Sequence, residues 1–198
     1  MPINYSLKPL TPPVVEPVSE ADAMAHLRLE TSGESALIAR LITVARMQVE
    51  TWTGRALITQ SWRWSLDRWP AGRAGILTIP KPPLQSVDQI LLFDGQGQAA
   101  VWDQQNYEVD AGNDSARLIP RTGVLPPGPG RRAAGIAIDF SCGYGAVGTD
   151  IPAPIRQAIL MLIAHYYENR ELASPATGMA PVPQGPAALL APYKVVRL

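Results

Sequence analysis

The side chains best suited to catalysis or to binding a soft metal ion are few in this sequence. They are His26 and His165, the only histidines, and Cys142, the only cysteine. No two of them stand at the short spacings, such as C-x-x-C or H-x-x-x-H, that let two ligands share one ion. His165 falls at the edge of a helical apolar stripe, where a partly buried structural histidine is expected. We therefore predict no metal site, no cofactor and no catalytic residue, and we expect a protein that is not an enzyme.

Cys142 stands in the segment FSCGYG, at the end of a predicted strand. An exposed cysteine in that position could be a nucleophile. A small apolar residue that closes a strand explains the same letters, and cysteine is among the most buried residue types. An alternative reading, a small packaging-associated enzyme, requires Cys142 or His165 beside a carboxylate in a pocket.

Aromatic and basic residues intermingle after position 50, which suggests a second alternative, a single-strand nucleic-acid-binding module. Such modules stack bases on aromatic rings along a positively charged groove. The tryptophans are Trp52, Trp62, Trp64, Trp69 and Trp102, and the arginines near them are Arg55, Arg63, Arg68 and Arg73. The chain has 17 basic and 17 acidic side chains and no net charge, so it lacks a basic footprint. Tryptophans packed on strands, with arginine stems across them, are the preferred interpretation.

Three helices are predicted from caps and apolar periodicity. Ser19 with Asp22 resembles a capping pair and opens a short helix. A long helix follows and ends at Gly54, which can take the left-handed conformation at a helix end. A third helix starts after Pro152. The apolar stripes of the two longer helices are Leu37, Ile38, Leu41, Ile42, Ala45, Val49 and Trp52, and Ile155, Ile159, Leu162, Ile163 and Tyr166. We expect the two stripes to pack against each other.

Between the helices the sequence period drops to two. Trp62, Trp64 and Leu66 alternate with polar residues, as in a half-buried strand. Further strands are predicted at residues 76–79, 87–93, 99–102, 116–119 and 136–140, with a hairpin turn at residues 94–95. Because no helices separate these strands, antiparallel pairing is expected.

The predicted fold class is α+β. A small helical bundle, of two N-terminal helices and one C-terminal helix, carries an inserted antiparallel β domain and extended proline-rich termini. The 20 prolines of the 198 residues make up about twice the usual share. The predicted boundaries are an N-terminal arm at 1–18, a helical core at 19–55 and 150–172, a β region at 56–149 and a C-terminal tail at 173–198. No apolar run of about 18 residues is present, so no membrane partner is expected.

Several segments together resemble a known family, the head-to-tail connector or adaptor proteins of tailed double-stranded DNA phages and of phage-derived gene transfer agents. The segments that carry the resemblance, in the family's order, are PPVVEPVSEADAMAHLRL, ESALIARLITVARMQVETWTGRALITQSWRWSLDRWP, IPKPPLQSVDQI, FSCGYG, PAPIRQAILMLIAHYYENRE and LLAPYKVVRL. The β insertion is longer than in the minimal helical connectors.

The resemblance implies a structural protein of a phage-like particle, made in the bacterial cytoplasm and placed at the head-tail junction. A head-to-tail interface would close copies of the chain into a ring of about twelve. The ring would lie between the portal protein and a stopper or the next connector. DNA would pass through the lumen without sequence-specific binding.

Two partner-binding surfaces are predicted on this basis. Apolar side chains of the tail are expected to anchor in grooves of the portal protein: Leu189, Leu190, Tyr193, Val195, Val196 and Leu198. Ring closure is assigned to the outer face of the long helix, through Arg40 and Arg46, and to the β region.

Overall fold

The computed structural model describes residues 5–29, 32–70, 75–112, 115–169 and 183–195. Over these residues the predicted α+β class is confirmed. The helices are α1 (Glu20–Leu27), α2 (Ser35–Thr53), α3 (Ala153–Glu168) and α4 (Gln184–Leu190). The strands are β1 (Tyr5–Thr11), β2 (Gln60–Leu66), β3 (Leu77–Thr78), β4 (Leu84–Phe93), β5 (Ala99–Val101), β6 (Tyr107–Asp110), β7 (Arg117–Pro120) and β8 (Ile136–Cys142).

The chain divides into two compact units. The β unit contains Met1–Pro12 and Thr59–Gly143, and the helical unit contains Pro13–Ile58 and Tyr144–Leu198. The predicted arm at 1–18 is therefore shared between the two units. The predicted β region at 56–149 is close to the second segment of the β unit.

The helical unit begins with the predicted cap of α1. The Ser19 side chain accepts a hydrogen bond from the Asp22 backbone N–H at 3.0 Å, and the Asp22 carboxylate contacts the Ser19 backbone N–H at 3.4 Å. This reciprocal capping box satisfies two backbone donors that a helix start leaves free. α2 ends at Gly54 with φ of 77°, as predicted. Residues Ser32–Glu34 form a separate 3-10 turn directly before it.

The two predicted apolar stripes meet in the core of the helical unit. Ile38, Leu41 and Val49 of α2 are buried with Ile155 and Leu162 of α3. These side chains are removed from water almost completely, and each contributes about 1.5–3 kcal/mol relative to exposure. The prediction that α3 packs on α2 is confirmed.

The β unit contains a five-stranded antiparallel sheet with strand order β1-β2-β8-β4-β5. Its central register places Trp64 and Ile90 on either side of Ile138, and all three side chains are buried. One residue earlier or later along each strand the side chains point to the opposite face. That face carries Arg63, Ser65, Gln89 and Asp139 beside Ala137 and Leu91. We call it the polar face, because four of these six side chains are polar.

Two strands were not predicted. β1 carries Pro9, which a central strand would not tolerate, but β1 is an edge strand that pairs only with β2. β6 spans four residues and pairs with β7 in a smaller sheet of order β3-β7-β6. Its apolar signal is too short to stand out in the sequence.

The predicted hairpin connects β4 to β5. The Asp94 carboxylate accepts hydrogen bonds from the backbone N–H groups of Gln96 and Gln98, at 2.9 and 2.8 Å. The positive φ of the turn falls on Gly97, at 84°, rather than on Gly95. The side chain of Asp94 thus fixes a five-residue connection, residues 94–98, in place of the tighter turn expected.

Part of the C-terminal tail is helical within the described residues. Residues 184–190 form α4, and residues Ala191–Tyr193 continue as a 3-10 turn. Within the described residues, no helix is both long and apolar enough to cross a membrane.

Candidate partner-binding surfaces

Among the residues considered for catalysis, Cys142 is engaged in packing, whereas His26 is exposed. Cys142 is fully buried in β8, with its Sγ 3.7 Å from the backbone oxygen of Gln60. His26 and His165 line one shallow cavity of the helical unit together with Glu168. Among the described residues, no group of three or more His, Cys, Asp or Glu side chains is arranged to hold a metal ion.

The tryptophans contact protein groups. Trp64 and Trp102 are buried. Trp69 packs edge-on against Trp102 at 5.1 Å between ring centroids, and its indole nitrogen donates to the Pro127 carbonyl at 2.9 Å. Lys81 lies over the Trp62 ring at 4.8 Å. These rings pack the β unit and are not aligned as an open stacking platform for bases.

The polar face of the large sheet carries one buried charged group. Asp139 on β8 accepts two hydrogen bonds from Arg63 on β2, both at 2.7 Å, and one from Gln89 on β4 at 2.9 Å. Burial alone would raise the pKa of the Asp139 carboxyl, but these hydrogen bonds and the Arg63 charge outweigh it and lower the pKa. The cluster ties the three central strands of the sheet together.

The charged residues of α2 turn inward, with one exception. Arg46 donates to Glu16 at 2.8 Å and to Glu50 at 3.1 Å, and its side chain is 11% exposed. The other carboxylate oxygen of Glu50 accepts the backbone N–H of Leu57 at 3.0 Å. Arg46, predicted as a ring-interface residue, is thus placed inside the helical unit, where it joins the segment before α1 to α2.

The outer face of α2 is left with a single charge. Its exposed residues follow one helical stripe: Ala36, Ala39, Arg40, Val44, Met47 and Thr51. Met47 is 55% exposed and Val44 is 36% exposed. An exposed helix face is normally rich in charge, so this apolar stripe has the character of a contact surface.

The described C-terminal segment, residues 183–195, is docked on the helical unit. Leu190 is fully buried in the core of that unit, and Leu189 and Tyr193 are partly buried against it. Arg55 donates from Nε to the Tyr193 carbonyl at 2.6 Å, and the Val195 backbone N–H donates to the Thr53 carbonyl at 2.8 Å. Two further predicted anchor residues, Val196 and Leu198, lie outside the described residues.

A groove of about 590 Å³ opens on the helical unit beside the outer face of α2. We call it the Arg156 groove. Its lining residues are Val15, Glu16, Pro17, Val18, Ser19, Glu20, Asp22, Ala39, Ile42, Thr43, Val147, Gly148, Thr149 and Arg156. Sequence reasoning missed this site, because it brings residues 147–156 beside residues 15–22 and 39–43, which lie more than a hundred residues earlier in the chain.

A helical unit that carries an inserted antiparallel β unit is the class of fold that the sequence linked to head-to-tail connectors. Solved structures contain chains similar to this one over nearly the whole length. One is a chain in the neck of an empty gene transfer agent particle computed with C6 symmetry, 27% identical, with a TM-score of 0.81, covering 98% of this chain and 97% of that chain.

Two further structures agree. A chain in the virion of a native gene transfer agent particle is 26% identical, with a TM-score of 0.75, covering 97% of this chain and 96% of that chain. A chain in the neck of a native gene transfer agent particle computed with C12 symmetry is 26% identical, with a TM-score of 0.66, covering 98% and 97%. No protein-family model matches the chain, and no curated protein does. The predicted resemblance to head-tail connectors is confirmed by these structures.

Proposed function

We propose that this chain is a structural subunit of the neck of a phage-like particle, a head-to-tail connector at the head-tail junction. The observation that carries the proposal is the whole-length likeness to chains in the necks of gene transfer agent particles. Two units of different architecture are matched together, so the likeness is not that of one common small domain. The burial of Cys142 and the packing of the tryptophans further support a structural role over the two alternatives.

The connector is proposed to form a ring of about twelve copies with a lumen for DNA. Neck structures with similar chains were computed with C6 and C12 symmetry, and twelve copies satisfy both. The outer face of α2 supplies one side of the contact between copies, through Arg40, Val44 and Met47. The equal numbers of basic and acidic side chains suit a lumen that lets DNA pass without gripping its phosphates.

The ring is proposed to bind the portal protein on one side and a stopper or further connector on the other. The C-terminal segment supplies the portal contact through the partly exposed side chains of Leu189, Tyr193 and Val195. Leu190 belongs to the proposed anchor set, but its full burial gives it a second task, holding the segment on its own helical unit.

Native mass spectrometry of the purified chain, alone and with a portal protein of the same particle, tests the proposal. We expect a species near twelve times the chain mass of 21.4 kDa, formed alone or on the portal. A chain that stays monomeric under both conditions contradicts the ring. A ring that forms but never binds portal contradicts the portal contact only.

A further inference from the structure

The Arg156 groove contains a cation without an internal partner. The Nε atom of Arg156 is buried, and no acceptor for it exists among the described residues. The described residues also provide no ion pair for its guanidinium. A buried donor without an acceptor costs free energy, because it has lost its water and gained nothing in return. Among the described residues, the guanidinium groups of Arg46 and Arg55 also point inward, and both have acceptors.

Two apolar side chains in the wall of the groove are also left partly exposed to solvent. Val15 and Val147, on opposite stretches of chain, remain 42% and 50% exposed while lining the same cavity. Gly148 forms part of the wall, and a Cβ added there would lie 2.4 Å from the Pro17 carbonyl oxygen. The backbone at Gly148 and the backbone at Pro17 are therefore in tight contact, which fixes this part of the groove wall.

The charges of the groove identify the kind of occupant. Glu20 and Asp22 line it together with Arg156, so the lining is of mixed charge. Nucleic acid does not fit, since the carboxylates would repel its phosphates. A polypeptide that offers a backbone carbonyl to Arg156 fits better, because a carbonyl carries no full negative charge for Glu20 and Asp22 to repel. The bond from Arg55 to the Tyr193 carbonyl shows the same kind of contact inside this chain, where it holds the C-terminal segment on the helical unit.

We propose that the Arg156 groove receives a segment of a second copy of this chain, and that Arg156 donates from Nε to that copy. The inference rests on the ring of the proposed function, and it adds the residue that holds adjacent copies together. Continuity supports the second copy as occupant, because Ala39 lies both in the groove wall and on the outer face of α2. Contact between copies then buries the valines and supplies the missing acceptor.

The test separates an interface role of Arg156 from a structural one. Arg156→Met removes the donor and keeps most of the side-chain length. The melting temperature of the monomeric chain should stay unchanged or rise, because no internal bond is lost, whereas self-association should weaken at least tenfold in native mass spectrometry. Arg46→Met is the matched control, since Arg46 is bonded inside the unit, and it should lower the melting temperature. A fall in melting temperature for Arg156→Met that matches the control, or an unchanged ring, overturns the proposal.

A photo-cross-linker identifies the occupant. A benzophenone amino acid placed at Val147 should cross-link the chain to a second copy under ring-forming conditions, and one placed at Leu125 of the β unit is the comparison position. The same amino acid placed at Met47 reports on contacts of the outer face of α2. Cross-linking at Met47 but not at Val147 overturns the groove and leaves the ring. Cross-linking from Val147 only to another neck protein overturns the second copy as occupant. Absence of cross-links from both Val147 and Met47 contradicts the ring as well as the groove.

Discussion

At the scale of single residues, the charged side chains divide by whether they have partners. Asp139 and Arg46 are bonded on more than one side and join strands or segments that are far apart in the sequence. Arg40 and Arg156 have no such bonds among the described residues. Paired charges join segments within each unit, so the charges without internal partners are the better candidates for contacts with other chains.

Asp139→Asn tests the charge cluster of the sheet. It should destabilise the β unit by about 2 kcal/mol at pH 7, because Arg63 loses a charged partner while Asn keeps the shape. The folded-state pKa of Asp139 is lowered, so its stabilisation is complete above the unfolded-state pKa of about 4 and is lost as the pH falls through the folded-state value. Urea unfolding at pH 7 and pH 3 measures this. The difference in free energy of unfolding between wild type and variant should be smaller at pH 3 than at pH 7. An equal difference at the two pH values contradicts a stabilising role for the ionised Asp139 carboxylate.

At the scale of elements, α2 has two different faces. The inner face carries the core, and Arg46 and Glu50 join its flank to neighbouring segments. The outer face is apolar apart from Arg40. Of the two predicted ring residues, Arg46 also has a role in the fold, so a change there would disturb the helical unit, whereas a change at the exposed Arg40 would not.

Met47→Asp tests the outer face of α2. A carboxylate buried between two copies without a partner should abolish or strongly weaken ring formation. The exposed side chain makes no core contact, so the melting temperature of the monomer should change little. Light scattering and thermal melts on the same sample give both values. Gln105→Asp in the β unit is a control at another exposed position, and equal loss of the ring in both variants would contradict a specific role for α2.

Leu190→Ala tests the docking of the C-terminal segment. It should lower stability by about 2–5 kcal/mol, because it leaves a cavity under α4 in the core of the helical unit. Chemical unfolding measures the loss. The exposed neighbour Ala188→Ser is the control and should be nearly neutral. A neutral Leu190→Ala would show that the segment does not depend on this contact.

At the scale of the whole molecule, the chain is similar over almost its full length to chains that occur in particle necks. Both units are included in that likeness, so the proposed role belongs to the complete chain. The deletion of the chain's gene from a particle-producing strain should give filled heads without attached tails, seen by electron microscopy. The wild-type gene supplied in trans should restore tails, and normal particles without the chain would contradict the connector role.

The sequence by itself determined the local structure and the fold class. The Ser19 capping box, the end of α2 at Gly54 and the apolar stripes of α2 and α3 depend on residues close together in the chain, so periodicity and caps revealed them. Order and composition were also enough for the resemblance to connectors.

Only the tertiary structure decided which surfaces are free. β1 is held as a strand by pairing with β2, and Leu190 is buried by helices far away in sequence. Arg46 is turned inward by Glu16, and the Nε atom of Arg156 is left without an acceptor among the described residues, in a groove that brings residues 147–156 beside residues 15–43. The physical reason is that burial and pairing of a side chain depend on its neighbours in space, which a periodic pattern along one element does not contain.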